Sequence, residues 1–361
     1  MIYLDYQATT PLAPEAREAM LAWLGGPESE TFGNPHSPHR MGRMAAAAVE
    51  VAREQVAKLF PPGGQVIFTG SATEAINLAV RGNAAIRSGE HIAFSAIEHA
   101  AVIDTVKAIG TWTELPVGED GVIAPDVDMP KYVGLLAVMQ VNNEIGTIQP
   151  IADMARRAKE TGALLLVDGV QAAGKMALPQ PADMIAVSAH KLHGPKGIGA
   201  LWVRDGLSLI PHVEGGGQEQ GLRSGTLSPA LCAGFGAAAA LAVERQEADA
   251  AHVEELWHIA RDAFSGWTLN GSAEQRWHGN LNIRKDGLDV ARLMSECREV
   301  MLSAGSACAS GSGRTSHVLR AIGLGDAQAK SSIRLGWGRY TTREDIQRAC
   351  SIILEAANAQ G

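Results

Sequence analysis

Short apolar runs that each stop at a polar or glycine-rich turn constrain this chain more than any other feature. Gln65–Thr69, His91–Ser95, Val133–Val141, Ala163–Val167, Ala182–Val187 and Gly197–Arg204 all have strand length and composition. Helical sequence lies between several of them, from the turn at Ser71 to about Ile86 and over Ile151–Thr161. That alternation predicts an α/β fold around a mostly parallel sheet. In such sheets ligands sit beyond the carboxyl ends of the strands. Thr73, His99, Asn143, Asp168, Gln171, Ser188, His190 and Lys191 all fall at those ends. A lone aspartate at a strand end is commonly a helix cap or a turn residue. An aspartate, a lysine, a histidine and a candidate phosphate turn at four strand ends are not easily four caps.

Ala182–Lys196, ADMIAVSAHKLHGPK, carries the sharpest signal. A lysine just past a buried strand is costly to order and to desolvate. Its stem could simply lie over the sheet edge. Partial burial would instead free the neutral amine of Lys191 as a nucleophile. Ser71 and Glu74 fit a capping box, so the turn there is a helix N-terminus with free N–H groups, suited to a phosphate.

The flanks read more plainly. Residues 1–11 are an extended arm, Glu15–Trp23 and Met41–Leu59 are helices, and Glu30–Arg40 is a loop. Glu214–Thr226 is a glycine-rich loop, and Pro229–Ala260 is a helical connector. Beyond it, strands at Trp267–Leu269, Asn280–Ile283, Val300–Ser303 and Ser331–Leu335 mix with helices at Leu288–Glu296 and from Thr341 to about Ala357. A Thr341/Glu344 capping box opens the last helix. The expected division is an arm over 1–11 joining a small domain, a large domain over 12–246 and a small α+β domain over 247–361.

With 361 residues, 46% of them hydrophobic, the chain is long enough for two cores. A net charge of -8 without a basic block argues against nucleic acid. No apolar run reaches membrane-spanning length, and the start lacks the pattern of a signal peptide, so a cytoplasmic protein that meets no membrane is expected. No two of Cys232, Cys297, Cys308 and Cys350 have CxxC spacing, so no metal site is expected. The first, second and fourth sit in helical contexts that suit small buried residues. Cys308 lies instead in SAGSACASGSGR, where no packing period exists. A thiol on such a loop invites oxidation, which is tolerated mainly where the thiol works. Arg334, on a strand, suits either a structural ion pair or the grip of a substrate carboxylate.

A cofactor with a phosphate, an aldehyde and a ring nitrogen needs what is gathered here. A lysine takes the aldehyde, a carboxylate such as Asp168 keeps the ring nitrogen protonated, and a ring such as His99 stacks on the cofactor face. Ala72, Thr73, Ser188 and His190 supply phosphate donors. That set describes pyridoxal 5'-phosphate.

The sequence resembles the pyridoxal-phosphate-dependent cysteine desulfurases of the class-V aminotransferase group. The matching pieces are YLDYQATTP (Tyr3–Pro11), FGNPHS (Phe32–Ser37), SATE (Ser71–Glu74), EH (Glu98–His99), VNNEIG (Val141–Gly146) and VDGVQAAGK (Val167–Lys175). SAHKLHGPKGIGAL (Ser188–Leu201), RSGT (Arg223–Thr226), SAGSAC (Ser303–Cys308) and SSIR (Ser331–Arg334) complete them, in the family's order. The cysteine loop is similar to the long kind that feeds iron–sulfur cluster assembly. The resemblance implies the fold-type-I architecture, a seven-stranded sheet domain with a smaller α+β domain. It implies that Lys191 binds the cofactor and moves the substrate's Cα proton, and that Asp168 pairs with the ring nitrogen. Gln171 and Asn143 would bond near the ring hydroxyl, with Asn143 also near the substrate carboxylate. His99 would stack on the ring and exchange protons. Ala72, Thr73, Ser188 and His190 would hold the phosphate, with Thr226 coming from the second subunit of a homodimer. Arg334 would bind the carboxylate of L-cysteine. Cys308 would become a persulfide, pass sulfur to an acceptor protein (an iron–sulfur scaffold or other carrier) and could ligate an iron–sulfur cluster transiently. A selenocysteine lyase or small-substrate aminotransferase of the same fold is the alternative.

Overall fold

The structure, a computed structural model, describes residues 1–86, 89–305 and 315–360. Strand β1 is Ile2–Tyr3. Helices α1 (Pro14–Leu21) and α2 (Arg40–Ala57) precede β2 (Gly64–Thr69), α3 (Ala72–Ile86), β3 (His91–Ser95), α4 (Ala100–Lys107) and β4 (Trp112–Leu115). Then come β5 (Val133–Met139), α5 (Ile151–Thr161), β6 (Leu164–Asp168), β7 (Met184–Ser188) and β8 (Gly199–Arg204). These strands form one seven-stranded sheet in the order β2-β8-β7-β6-β5-β3-β4. All neighbours are parallel except β8, which runs antiparallel to β2 and β7.

The apolar runs explain the layers. Every residue of β5, β6 and β7 is buried, as a strand covered on both faces requires. One core under α2, α5 and the later helix α6 (Pro229–Ala263) contains Phe68, Val138, Val167, Val187 and Phe235. The core on the other face, under α3 and α4, contains Ile76, Phe94, Leu166, Ala186 and Val102.

Helix α6 is continuous over 35 residues. Its first half packs closely on α2: a Cβ on Gly236 would come within 2.8 Å of the Ala52 Cα. Its second half sends Val253, Leu256, Trp257 and Ala260 into a separate core. That core lies under a four-stranded sheet. The elements after α6 are β9 (Thr268–Leu269), β10 (Asn280–Arg284), α7 (Val290–Glu296), β11 (Val300–Met301), β12 (Ser303–Ala304), α8 (His317–Ala321), α9 (Asp326–Lys330), β13 (Ser332–Gly336) and α10 (Arg343–Asn358). Of these, α8 and α9 pack instead with Ile97, Met139 and Ile145. The sheet order is β12-β13-β10-β9, while β11 pairs in parallel with β1.

The differences from the sequence reading have local causes. Val300–Ser303 is two strands in two sheets, because Leu302 turns into the core between them. The last helix is capped one residue later, by Thr342 and Asp345. Helix α4 and edge strand β4 were not anticipated: α4 has only eight residues, and β4 is mostly exposed. Glu74 does reach back at the start of α3, but to the Gly70 N–H, one residue before the expected partner.

Candidate active site

A cavity of about 300 Å³ opens beyond the carboxyl ends of the large sheet. Ala72, Thr73, His99, Asn143, Asp168, Gln171, Ser188, His190, Lys191 and Arg334 all line it. Of the residues singled out from the sequence, Thr226 is exposed and does not line the cavity of its own chain. Cys308 lies outside the described residues.

Each wall follows from the elements behind it. Asp168 closes β6 and Ser188 closes β7, and adjacent registers set Met139, Asp168 and Ala186 side by side. Helix α3 begins at Ala72, with the Glu74 N–H donating to Ser71 Oγ at 3.3 Å. The α3 turn sits close to the sheet because residue 199 is glycine: a Cβ there would come within 2.8 Å of the Ala72 nitrogen. The turn after β7 forms a short 3-10 helix over Ala189–Lys191 that carries His190 and Lys191 into the cavity wall.

The electrostatics are those of an enclosed site. Burial pushes the Asp168 carboxyl above its ordinary value, opposed by the Val170 N–H and by His99 and Lys191. The Val170 N–H donates to Asp168 Oδ1 at 2.9 Å. Burial pulls His99 down; Asp168 opposes this, and Lys191 and His317 add to it. His99 caps α4 by accepting the Ala101 N–H on Nδ1 at 3.1 Å, so the neutral ring carries its proton on Nε2. His190 is pulled down to about 4, by burial first and then by Lys191. Its Nδ1 shares a hydrogen bond of 3.1 Å with Thr9 Oγ1.

The N-terminal arm supplies what the sequence reading missed. Gln7 and Ala8 line the cavity, and the Lys191 amine donates to both of their carbonyl oxygens, to Ala8 at 2.9 Å. Lys191 therefore points into the site and not into bulk solvent. The arm is laced to the lysine turn: the Thr10 N–H donates to His190 O at 2.9 Å, and the His193 N–H donates to Thr10 Oγ1 at 2.8 Å. The polar stretch QATT was the available signal, but backbone carbonyls leave no mark in a sequence.

Arg334 enters from the small sheet, on β13, with only 1% of its surface exposed. Its Nη2 donates to Asp5 Oδ1 at 2.6 Å and its Nη1 to Asn143 O at 3.0 Å. Its buried Nε has no hydrogen-bond partner among the described residues, which leaves a donor for an anionic ligand. The three described cysteines are buried and carry no disulfide, and burial pushes Cys232 and Cys350 up to about 12. They are inert packing residues, as expected. Among the described residues no cluster of three or more metal-ligating side chains occurs, and no helix is long and apolar enough to cross a membrane.

A lysine, a buried carboxylate and a helix N-terminus around one cavity at the ends of a mostly parallel sheet define an enzyme of the class-V aminotransferase kind. The Aminotransferase class-V family model matches residues 2–349, and the chain belongs to this family. Among named relatives, it is 39% identical to cysteine desulfurase IscS of Rickettsia bellii (strain OSU 85-389), over 99% of this chain and 91% of that protein. It is 39% identical to a mitosomal cysteine desulfurase of Encephalitozoon cuniculi (strain GB-M1), over 98% of this chain and 86% of that one. Among solved structures, a NifS-like protein superposes with a TM-score of 0.90 at 31% identity, over 99% of both chains. A structure described as SspA in complex with cysteine superposes with a TM-score of 0.81 at 33% identity, over 95% of this chain and 100% of that one.

Proposed function

We propose that this protein is a cysteine desulfurase that uses pyridoxal 5'-phosphate to take sulfur from L-cysteine, leaving L-alanine and a persulfide on Cys308. One observation carries the assignment: Lys191, Asp168, His99 and Arg334, from four separate segments, line a single cavity. The cysteine desulfurase relatives and the cysteine-bound neighbour support the choice of reaction.

The residues present fit the cofactor. Ala72, Thr73, Ser188 and His190 offer donors for its phosphate, with Thr226 added from the second subunit of a homodimer. Asp168 is a buried carboxylate for the ring nitrogen, and Lys191 is an amine for the aldehyde. When bound, the cofactor acts as an electron sink that acidifies the substrate's Cα proton and weakens its C–S bond.

The protein's part is binding, orientation and proton movement. Arg334 takes the substrate carboxylate, with Asn143 beside it. Asp168 is costly to ionise in its buried site, so the positive charge of a ring nitrogen is its natural counter-charge. His99, neutral with Nε2–H, would lie against the ring and exchange protons. Lys191, released from the arm carbonyls, carries the Cα proton. Cys308, as thiolate, attacks the substrate sulfur: the Cβ–S bond breaks, an S–S bond forms, and Cβ gains a proton. The persulfide then passes to an acceptor, an iron–sulfur scaffold or another sulfur carrier. Among the described residues, three buried cysteines without disulfides suit a reducing compartment such as the cytoplasm.

Mass spectrometry of the Cys308 peptide after exposure to L-cysteine tests the reading. One added sulfur, with alanine formed in equal amount, is expected. Alanine without sulfur on Cys308 would overturn the persulfide role, and no alanine at all would overturn the reaction.

A further inference from the structure

Lys175 is a charged group beside the site for which the reaction has no use. It follows Gln171 by four residues, in the turn after β6. That turn is held by the Ala173 and Met176 N–H groups, which donate to Gly169 O and Ala172 O. Lys175 is half-buried and lines a second, smaller cavity of about 40 Å³, room for a water or two, together with Lys191, Gln7, Trp337 and Arg339. The carboxylate in that cavity, Asp249, is already paired with Arg339 at 2.7 Å and Arg245 at 3.2 Å. Among the described residues the Lys175 amine makes one hydrogen bond, to Gln171 Oε1 at 3.3 Å.

The other end of the same carboxamide is also held. Gln171 Nε2 donates to Gln7 O at 3.0 Å, the carbonyl that also accepts from Lys191. A primary amide can sit either way round unless its neighbours decide. Here a donor faces Oε1 and an acceptor faces Nε2, so only one orientation satisfies both. Nε2 has two hydrogens. One is spent on Gln7 O, and the second is left for the cofactor cavity that Gln171 lines. The reversed amide would set its oxygen against Gln7 O and offer an N–H₂ group to an ammonium.

We propose that Lys175 is a positioning residue: from behind the cofactor cavity its amine fixes the carboxamide of Gln171, so that Gln171 presents an N–H to the ring oxygen of the cofactor. The inference rests on the functional reading above and adds to it the residue that sets this donor. Burial, and then the charge of Lys191, draw the Lys175 amine down to about 7, in keeping with a group that donates a hydrogen bond without holding an ion pair.

Full-length protein stripped of cofactor and titrated with pyridoxal 5'-phosphate provides the test, with Lys175→Met and Lys175→Leu made together so that one apolar side chain suits the cavity. Both readouts are independent of turnover: the dissociation constant, and the pH midpoint of the visible absorbance band. We expect either variant to unfold at or above the wild-type temperature, because an amine no longer has to be desolvated. We expect it to bind the cofactor at least about fivefold more weakly, the effect of one lost hydrogen bond, and to move the pH midpoint. A folded variant that matches wild type in affinity and midpoint overturns this inference alone. Wild-type protein that takes up no cofactor overturns the functional reading, and this inference with it.

Discussion

One wall of the cavity comes from the ends of the large sheet; the other comes from the N-terminal arm and the small sheet. Asp168 and Ser188 on the first wall are the last residues of strands locked into a ladder, so backbone register sets their positions. Beyond the arm, the second wall is held by side chains that cross to a single turn, residues 142–146. Arg334 and Asn280 donate to Asn143 O at 3.0 and 3.2 Å, Asn282 donates to Glu144 O at 3.0 Å, and Ser316 Oγ donates to the Glu144 carboxylate. His317 adds an N–H to Glu98 O at 2.9 Å. Ser316 and His317 thus tie the start of α8 to the same seam. The difference teaches that the wall proposed to hold the cofactor is set by backbone register, while the wall proposed to grip the substrate is one that single side chains can loosen.

Removing the reactive amine on the rigid wall should have the largest effect. Lys191→Ala should lower turnover of L-cysteine at least ~10³-fold, in the range expected for loss of a group that transfers protons, and should lose the absorbance band that survives dialysis. Retention of both would put the reactive amine elsewhere.

The second wall should fail differently. Arg334→Leu should lower kcat/KM about 10²-fold, mainly through KM, since charge-assisted hydrogen bonds to one carboxylate are worth about 1.5–3 kcal/mol. The cofactor band should stay as in wild type. Asp5→Asn, which keeps the acceptor but removes the charge beside Arg334, should cost less, about tenfold or under. Steady-state kinetics over a range of L-cysteine decide this. A loss of cofactor with either variant would erase the distinction between the walls.

These contrasts match what could be read from the residues. The rigid wall was legible because each of its groups ends an apolar run, and strand ends in a parallel sheet converge by geometry. The second wall was only half legible. Arg334 stood out as an arginine on a strand, but its partners Asp5 and Asn143 are 329 and 191 residues away in sequence. The arm's contribution is made by the carbonyls of Gln7 and Ala8, which any residue could supply. Strand β4 escaped because its exposure pattern is that of a sheet edge, and the Thr342/Asp345 cap because Thr341 and Thr342 are equally good capping residues by type.

Smaller effects sharpen the comparison at the seam and at the lysine turn. Burial raises Glu144, and its bond from Ser316 only partly offsets this. Glu144→Gln keeps an acceptor for Ser316 and removes the cost of a buried charge. Stability at pH 7 should be unchanged or up by about 1 kcal/mol in chemical denaturation, whereas Glu144→Ala should lose about 1–3 kcal/mol through an unsatisfied Ser316 hydroxyl. A large loss with the glutamine would mean that the charge itself holds the seam.

His193 tests the turn that carries Lys191. Burial pulls it down to about 4, so it is neutral in the fold. In the unfolded chain it protonates near the ordinary value of about 6.5. Its contribution to stability is therefore complete above about 6.5 and drains away as pH falls toward about 4. His193 also has φ +68, a left-handed conformation that asparagine tolerates. His193→Asn should fold at pH 7 and lose about 2–4 °C less than wild type in melting temperature between pH 7 and pH 5. Parallel melting curves would contradict a buried neutral imidazole at this position.

Borohydride reduction of the protein loaded with pyridoxal 5'-phosphate, followed by peptide mapping, tests the central claim most directly. The account predicts one labelled peptide, with the cofactor fixed to Lys191. Label on Lys175 or Lys196 in its place, or no label on a protein that turns over L-cysteine, would contradict it.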